Sequence, residues 1–145
     1  MSTRGLLAFR FKGQDYVTYN HSDSYPAGLG IRVVLFAQGH LKGAEAIQAF
    51  GNKIAALDWV TRPWGRRSDC PQGGELLAAI AEDRITRVVQ DSHLFRTGLD
   101  CEFAYILDLD SEILEFWDLP EKREFFPLAS INICMVDTME CERRH

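Results

Sequence analysis

Tyr19-Asn20-His21-Ser22-Asp23-Ser24-Tyr25-Pro26 is the stretch whose residue types could do chemistry. All eight residues donate, accept, stack or fix the backbone, whereas a turn needs only about two or three of them. His21 can move a proton near neutral pH. In an extended chain Asp23 and Tyr25 fall on the same face as His21, because side chains alternate with a period of two. His21, Asp23 and Tyr25 would then line one surface, while Tyr19 and the apolar partners of its strand anchor the other. In this reading His21 and Asp23 exchange protons with a ligand or orient it, and Asn20, Ser24 and Tyr25 help to hold it. The alternative makes Asn20, Asp23 and Ser24 turn and capping residues, with His21 a histidine satisfied by a backbone partner.

Two arginines precede the run. If the first strand alternates, Arg4, Leu6, Ala8 and Arg10 share a face. A guanidinium at each end of that face suits a carboxylate or phosphate. Equally, both arginines are surface residues, or Arg4 pairs with Asp23. Pairing of the first two strands would set Arg4, His21 and Asp23 on one concave surface. Gly28-Leu29-Gly30, ahead of an apolar segment, would expose amides that attract anions at a helix start. The chain has neither the full dinucleotide fingerprint nor the Walker lysine followed by Ser or Thr, so a tight turn is the simpler reading. Loss of Met1 would expose Ser2, whose hydroxyl could act as nucleophile with its own amine as base. Asp108, Asp110 and Glu112 alternate and could hold a divalent cation, although Asp110-Ser111 also reads as a solvated turn. Arg62, Trp64, Arg66 and Arg67 form a basic aromatic loop, suited to covering a ligand or to lying on the surface.

Several elements must position these groups. Leu6 to Phe11 and Tyr16 to Tyr19, joined by Lys12-Gly13-Gln14-Asp15, predict a β-hairpin. Pro26 ends the polar run. Leu29 to Gln38 is apolar around Arg32 and predicts a buried helix. Ala44 to Trp59 predicts another, with Ile47, Phe50, Ile54 and Leu57 on one face. Glu75 to Glu82 predicts a third, and Arg84 to Gln90 is open between helix and strand. Phe103 to Leu109 and Glu112 to Trp117 predict a hairpin about Asp110-Ser111. From Pro120 onward the reading is loops with one strand near Ile131 to Val136. Trp59 and Trp117 are assigned to the core. The expected fold is α+β, a single domain over residues 1–145, with an antiparallel sheet from N- and C-terminal hairpins packed with two or three central helices.

Composition narrows the partners. Of 145 residues 46% are hydrophobic, enough for one packed core. A net charge of -5 argues against binding duplex nucleic acid, which rests on phosphate neutralisation by Lys and Arg. A small anion is still accommodated, since a few local arginines suffice. No apolar run approaches the ~18 residues of a membrane span, and the N-terminus lacks a signal-peptide pattern. Cys70, Cys101, Cys134 and Cys141 show no C-x-x-C spacing, so they read as reduced thiols of a cytoplasmic protein rather than as disulfides or zinc ligands. The expectation includes no metal and no other cofactor, and a homo-oligomer stays open.

Thr3-Arg4-Gly5, Phe9-Arg10, the run Tyr19 to Gly30 and Asp108-Leu109-Asp110 together resemble a small family of bacterial, viral and fungal sequences. Its pattern is roughly T-R-G, F-R, Y-N-H-x-D-S-Y-P-x-G-L-G and D-L-D, and the resemblance by itself implies no activity. More distantly, the chain is similar to N-terminal nucleophile hydrolases, including the bile-salt hydrolase type. That similarity implies Ser2 as nucleophile, supported by Arg10, Asn20 and Asp23. The chain departs from those enzymes in carrying serine where they carry cysteine, and in being short for their αββα fold.

These readings converge on the binding, and in one form the hydrolysis, of a small anionic metabolite such as a nucleotide or nucleotide-derived signal. Arg4 and Arg10 would hold the anion. Three alternatives stay open: a non-catalytic protein that sequesters such a signal, an amidohydrolase using Ser2, and a protein-interaction module presenting Trp64 and its arginines.

Overall fold

A computed structural model describes residues 3–21, 23–61, 71–90, 102–118 and 122–143. Its first strands, β1 (Gly5–Phe11) and β2 (Gln14–Asn20), form the expected hairpin. Lys12 and Gly13 at the tip have φ of 52° and 75°, a two-residue turn whose twist matches that of paired strands. A second hairpin joins β5 (Phe103–Asp108) to β6 (Ile113–Asp118), and β7 (Lys122–Pro127) extends it. β1 lies parallel to β5, so the two hairpins fuse into a sheet of order β2-β1-β5-β6-β7. A parallel join demands a long crossover. Here it carries α1 (Ile31–His40), α2 (Ala44–Ala56) and α3 (Gly73–Ala81), and a short parallel pair, β3 (Asp58–Thr61) before α3 and β4 (Arg87–Gln90) after it. α4 (Cys134–Arg143) follows the sheet. The class is α+β, with a mostly antiparallel five-stranded sheet.

Alternation divides the sheet into two faces. Leu7, Phe9, Phe103, Tyr105, Leu107 and Leu114 form one buried cluster with Val33, Ile54, Leu76 and Ile80 of the helices. Leu6, Ala8, Val17, Ala104 and Ile106 form another on the opposite face. Every residue of β5 is therefore buried, as suits a strand with neighbours on both edges and cover on both faces. Fully burying one large apolar side chain stabilises by roughly 1.5–3 kcal/mol, which makes this strand the centre of the core. Trp59 and Trp117 are half-buried, packed against the first and second cluster respectively.

Three segments differ from expectation. The helix expected to be buried turns only one face inward, with Val33, Val34, Phe36 and Ala37 buried and Arg32 and Leu35 exposed. The helix begun at Ala44 stops at Ala56, where Trp59 turns its indole N–H back to the Ile54 carbonyl (2.8 Å) and the chain continues as β3. The tail expected to hold loops and a strand near Ile131 instead forms β7 and α4. Among the residues of α4 whose burial is described, Val136 and Met139 are buried in the core and Met135 packs against it.

α2 seats against β1 at Gly51, where a Cβ would run into the ring of Phe11. Gly39, by contrast, faces open space within α1. Gly51→Ala should lower the denaturation midpoint through this overpacking, typically by about 1–3 kcal/mol. Gly39→Ala should be neutral or slightly stabilising. Similar midpoints for the two variants in urea would contradict the contact.

The hairpin tip is tied to the β5–β6 turn. Asp110 accepts the N–H groups of Lys12 (2.7 Å) and Gly13 (2.8 Å). The Gly13 and Lys12 amides hold its carboxyl below the usual carboxylate range. A lowered folded-state value means stability that is present above about pH 3.9, the ordinary aspartate value, and lost as pH falls through the lower folded value. Asp110→Ala should therefore have a lower melting temperature at neutral pH, with the gap to the parent closing in acid. A gap that stays constant into strong acid would sink this linkage.

Candidate functional site

β2 ends at Asn20 and the chain then leaves the sheet, so alternation does not carry through His21, Asp23 and Tyr25. Ser24 is fully buried and pins the departing loop. Its N–H donates to the Thr3 carbonyl (3.0 Å), and its carbonyl accepts the Tyr105 hydroxyl (2.8 Å). Its Oγ accepts Asn20 Nδ2 at 2.8 Å. Gly5 permits this approach: a Cβ there would stand 2.6 Å from Ser24 Cβ. Asp23 takes a left-handed backbone, φ 57°, which Asp tolerates better than most residues. Its carbonyl accepts the Leu29 N–H (2.8 Å), folding the chain into a helical turn, Pro26–Gly30, that continues into α1. From α4, Glu140 Oε1 accepts the Ala27 N–H at 3.2 Å.

A cleft of about 600 Å³ opens beside this loop. The loop, the first turns of α1 and the start of α3 form its walls. Asp23, Tyr25, Arg32, Gln72 and Glu75 contribute polar side chains. α3 begins without a side-chain cap, because Gln72 gives its Oε1 to the His21 N–H (2.8 Å) instead. Gly73, with φ 58°, packs against Asn20 Oδ1. Gly74 packs against Arg32, where a Cβ would come within 2.7 Å of Cδ. Those glycines bring the first turn of α3 up to both residues.

Of the residues singled out in the sequence, the cleft gathers Asn20, Asp23 and Tyr25. Ser24 serves beneath it as the anchor of the loop. His21 is exposed, its ring 6.2 Å from that of Tyr19, and does not line the cleft. Arg4 is exposed at the head of β1 and does not line it either. The expected convergence of Arg4, His21 and Asp23 is thus reduced to Asp23. Ser2, Ser22, Arg62, Trp64, Arg66 and Arg67 lie outside the described residues.

Arg10 stands at the far end of β1, beside Asp15 on β2 and Asp108 on β5. Its guanidinium donates to Asp15 (2.8 Å), Asp108 (3.1 Å) and Glu115 (3.5 Å). Burial opposes its charge, yet hydrogen bonds to Asp15 and Asp108 raise its pKa above the usual arginine value. An arginine so engaged neutralises two buried carboxylates, Asp108 and Glu115, rather than an incoming anion. The carboxylates of the second turn are likewise in local use: Asp108 also accepts the Ser111 N–H (2.9 Å), and Asp110 holds the first hairpin. Among the described residues no group of His, Cys, Asp and Glu could hold a metal ion.

Arg32, Gln72 and Glu75 were missed. Arg32 had a signal, as the lone charge in an apolar segment. Gln72 and Glu75 had none, because only folding brings α3 against a loop some fifty positions earlier in the chain.

Removing the anchor should loosen the loop. Tyr105→Phe strips the Ser24 carbonyl of this donor, a loss of about 1–3 kcal/mol for a buried acceptor. Denaturation should show that loss, and amide exchange at Leu29 should quicken; unchanged exchange there would mean the loop holds itself. No family model matches the chain, and no curated protein or solved structure matches it, so the geometry is what bears on function.

Proposed function

We propose that the chain binds a small anionic metabolite in this cleft, with a nucleotide or nucleotide-derived signal as the class its lining suits. The reading is carried by one observation: Asn20, Asp23 and Tyr25 of the polar run meet Arg32 and the uncapped start of α3 around one cleft. Its volume falls within the range of about 300–1,000 Å³ usual for small-ligand sites. Arg32 offers a forked guanidinium to a phosphate or carboxylate. The first amides of α3 add partial positive charge. Tyr25 offers a ring for stacking. Arg32 thereby takes the role read in the sequence for Arg4 and Arg10.

Holding the ligand, as a sequestering protein would, is the form of the reading with the better support. His21, the residue proposed to move protons, has its side chain outside the lining. A cytoplasmic setting goes with this reading, given the exposed free thiol of Cys134. No helix among the described residues is long and apolar enough to cross a membrane.

Mass spectrometry of small molecules released from the purified protein should identify an anion, and titration calorimetry should then measure its affinity. Arg32→Ala should lose at least about tenfold in that affinity, the worth of one charge-assisted hydrogen bond. Its melting temperature should not move, because Arg32 is exposed. Arg10→Ala should do the reverse and cost about 3–5 kcal/mol of stability by stranding buried carboxylates. Undiminished affinity in Arg32→Ala would remove the cleft as the site.

A further inference from the structure

Folding accounts for the backbone of Asp23 and not for its side chain. The Asp23 carbonyl closes the loop onto Leu29. The carboxylate makes no hydrogen bond and no ion pair among the described residues, and Asp23 is an exposed residue on the border of the cleft. Aspartate ordinarily earns its place in a turn by bonding a nearby backbone amide, and no such bond forms here among the described residues. At φ 57° glycine or asparagine would serve the backbone at least as well. Arg32 borders the same cleft, also exposed, and among the described residues the two form no ion pair. A cation and an anion that share a cleft without pairing can each meet the opposite end of one small molecule.

We infer that Asp23 is the specificity-determining acceptor of the cleft, and that the ligand is bipolar. Its anionic group sits at Arg32, and an ammonium or a pair of hydroxyls on the same molecule sits at Asp23. This rests on the anion-binding reading above and narrows it. A ligand with an anionic group alone would leave the Asp23 carboxylate facing it without a counter-group, which is how a site discriminates between otherwise similar partners. Glu75 adds a second carboxylate to the lining, although its place in the first turn of α3 also suits the helix dipole.

Three fragments separate these ideas: ethyl phosphate, O-phosphoethanolamine and glycerol 3-phosphate, each titrated into the full chain and followed by amide chemical shifts at residues 23–32 and 72–75. At least one donor-bearing fragment should bind about tenfold more tightly than ethyl phosphate. Which one does so distinguishes an ammonium from a diol. Asp23→Asn keeps a residue that tolerates the left-handed backbone; it should abolish the advantage of O-phosphoethanolamine and leave ethyl phosphate bound as well or better. Equal binding of all three by the parent protein, or a preference unchanged in Asp23→Asn, would overturn the role of Asp23 while leaving the anion site standing. If no fragment shifts the cleft amides, the anion-binding reading falls, and this inference with it.

Discussion

The Tyr105 hydroxyl, donated to the Ser24 carbonyl from the middle of the central strand, is the constraint around which the candidate site is arranged. It binds a polar loop to the most deeply buried part of the sheet. Ser24 has no solvent to satisfy it, so each of its groups must find a partner in the protein, and Thr3, Asn20 and Tyr105 provide them. With Ser24 held, Asp23 is forced into its left-handed turn and Pro26–Gly30 begins the helix that carries Arg32. Gly5 and Gly28 follow from the same packing, since a side chain at either would collide with the loop.

At the opposite end of β1 a different physics governs. Arg10 lies where strands β2 and β5 both present aspartates, and Glu115 of β6 reaches it as well. Arg123 completes this surface, 3.8 Å from Glu115 and set over the rings of Trp117 and Phe125. Buried carboxylates are costly unless paired and hydrogen-bonded. Arg10 answers that need, which is why an arginine that looked like a ligand group in the sequence is a structural one. Asp110, one turn away, ties the two hairpins at their tips, so the same end of the sheet is locked twice.

The hairpins, α1, α3 and the α+β class were legible because each announces itself locally. The Lys12-Gly13 turn, the Asp110-Ser111 turn and the apolar runs of β1 and β5 depend on neighbours in sequence. β7 and α4 were not legible. Arg123-Glu124-Phe125 on β7 reads as surface, and the sequence of α4 mixes polar and apolar residues with no clear helical period. Within the site, Asn20, Asp23 and Tyr25 stood out by chemical type, and Arg32 stood out less, as a charge in apolar company. Ser24, by contrast, looked like a ligand group and is an anchor, because whether a hydroxyl faces solvent or a tyrosine one strand away cannot be read from its neighbours.

By itself the sequence determined that a dense polar run follows a first hairpin, that it leads into an apolar helix, and that the surrounding elements make an α+β domain. These are consequences of turn chemistry and side-chain periodicity, which act over a few residues. Only the tertiary structure decided that β1 and β5 run side by side, that Tyr105 meets Ser24 and that the start of α3 borders the same cleft as Asp23. Such contacts join parts of the chain many tens of residues apart. Their partners are chosen by the packing of the whole core, and no local pattern encodes that choice.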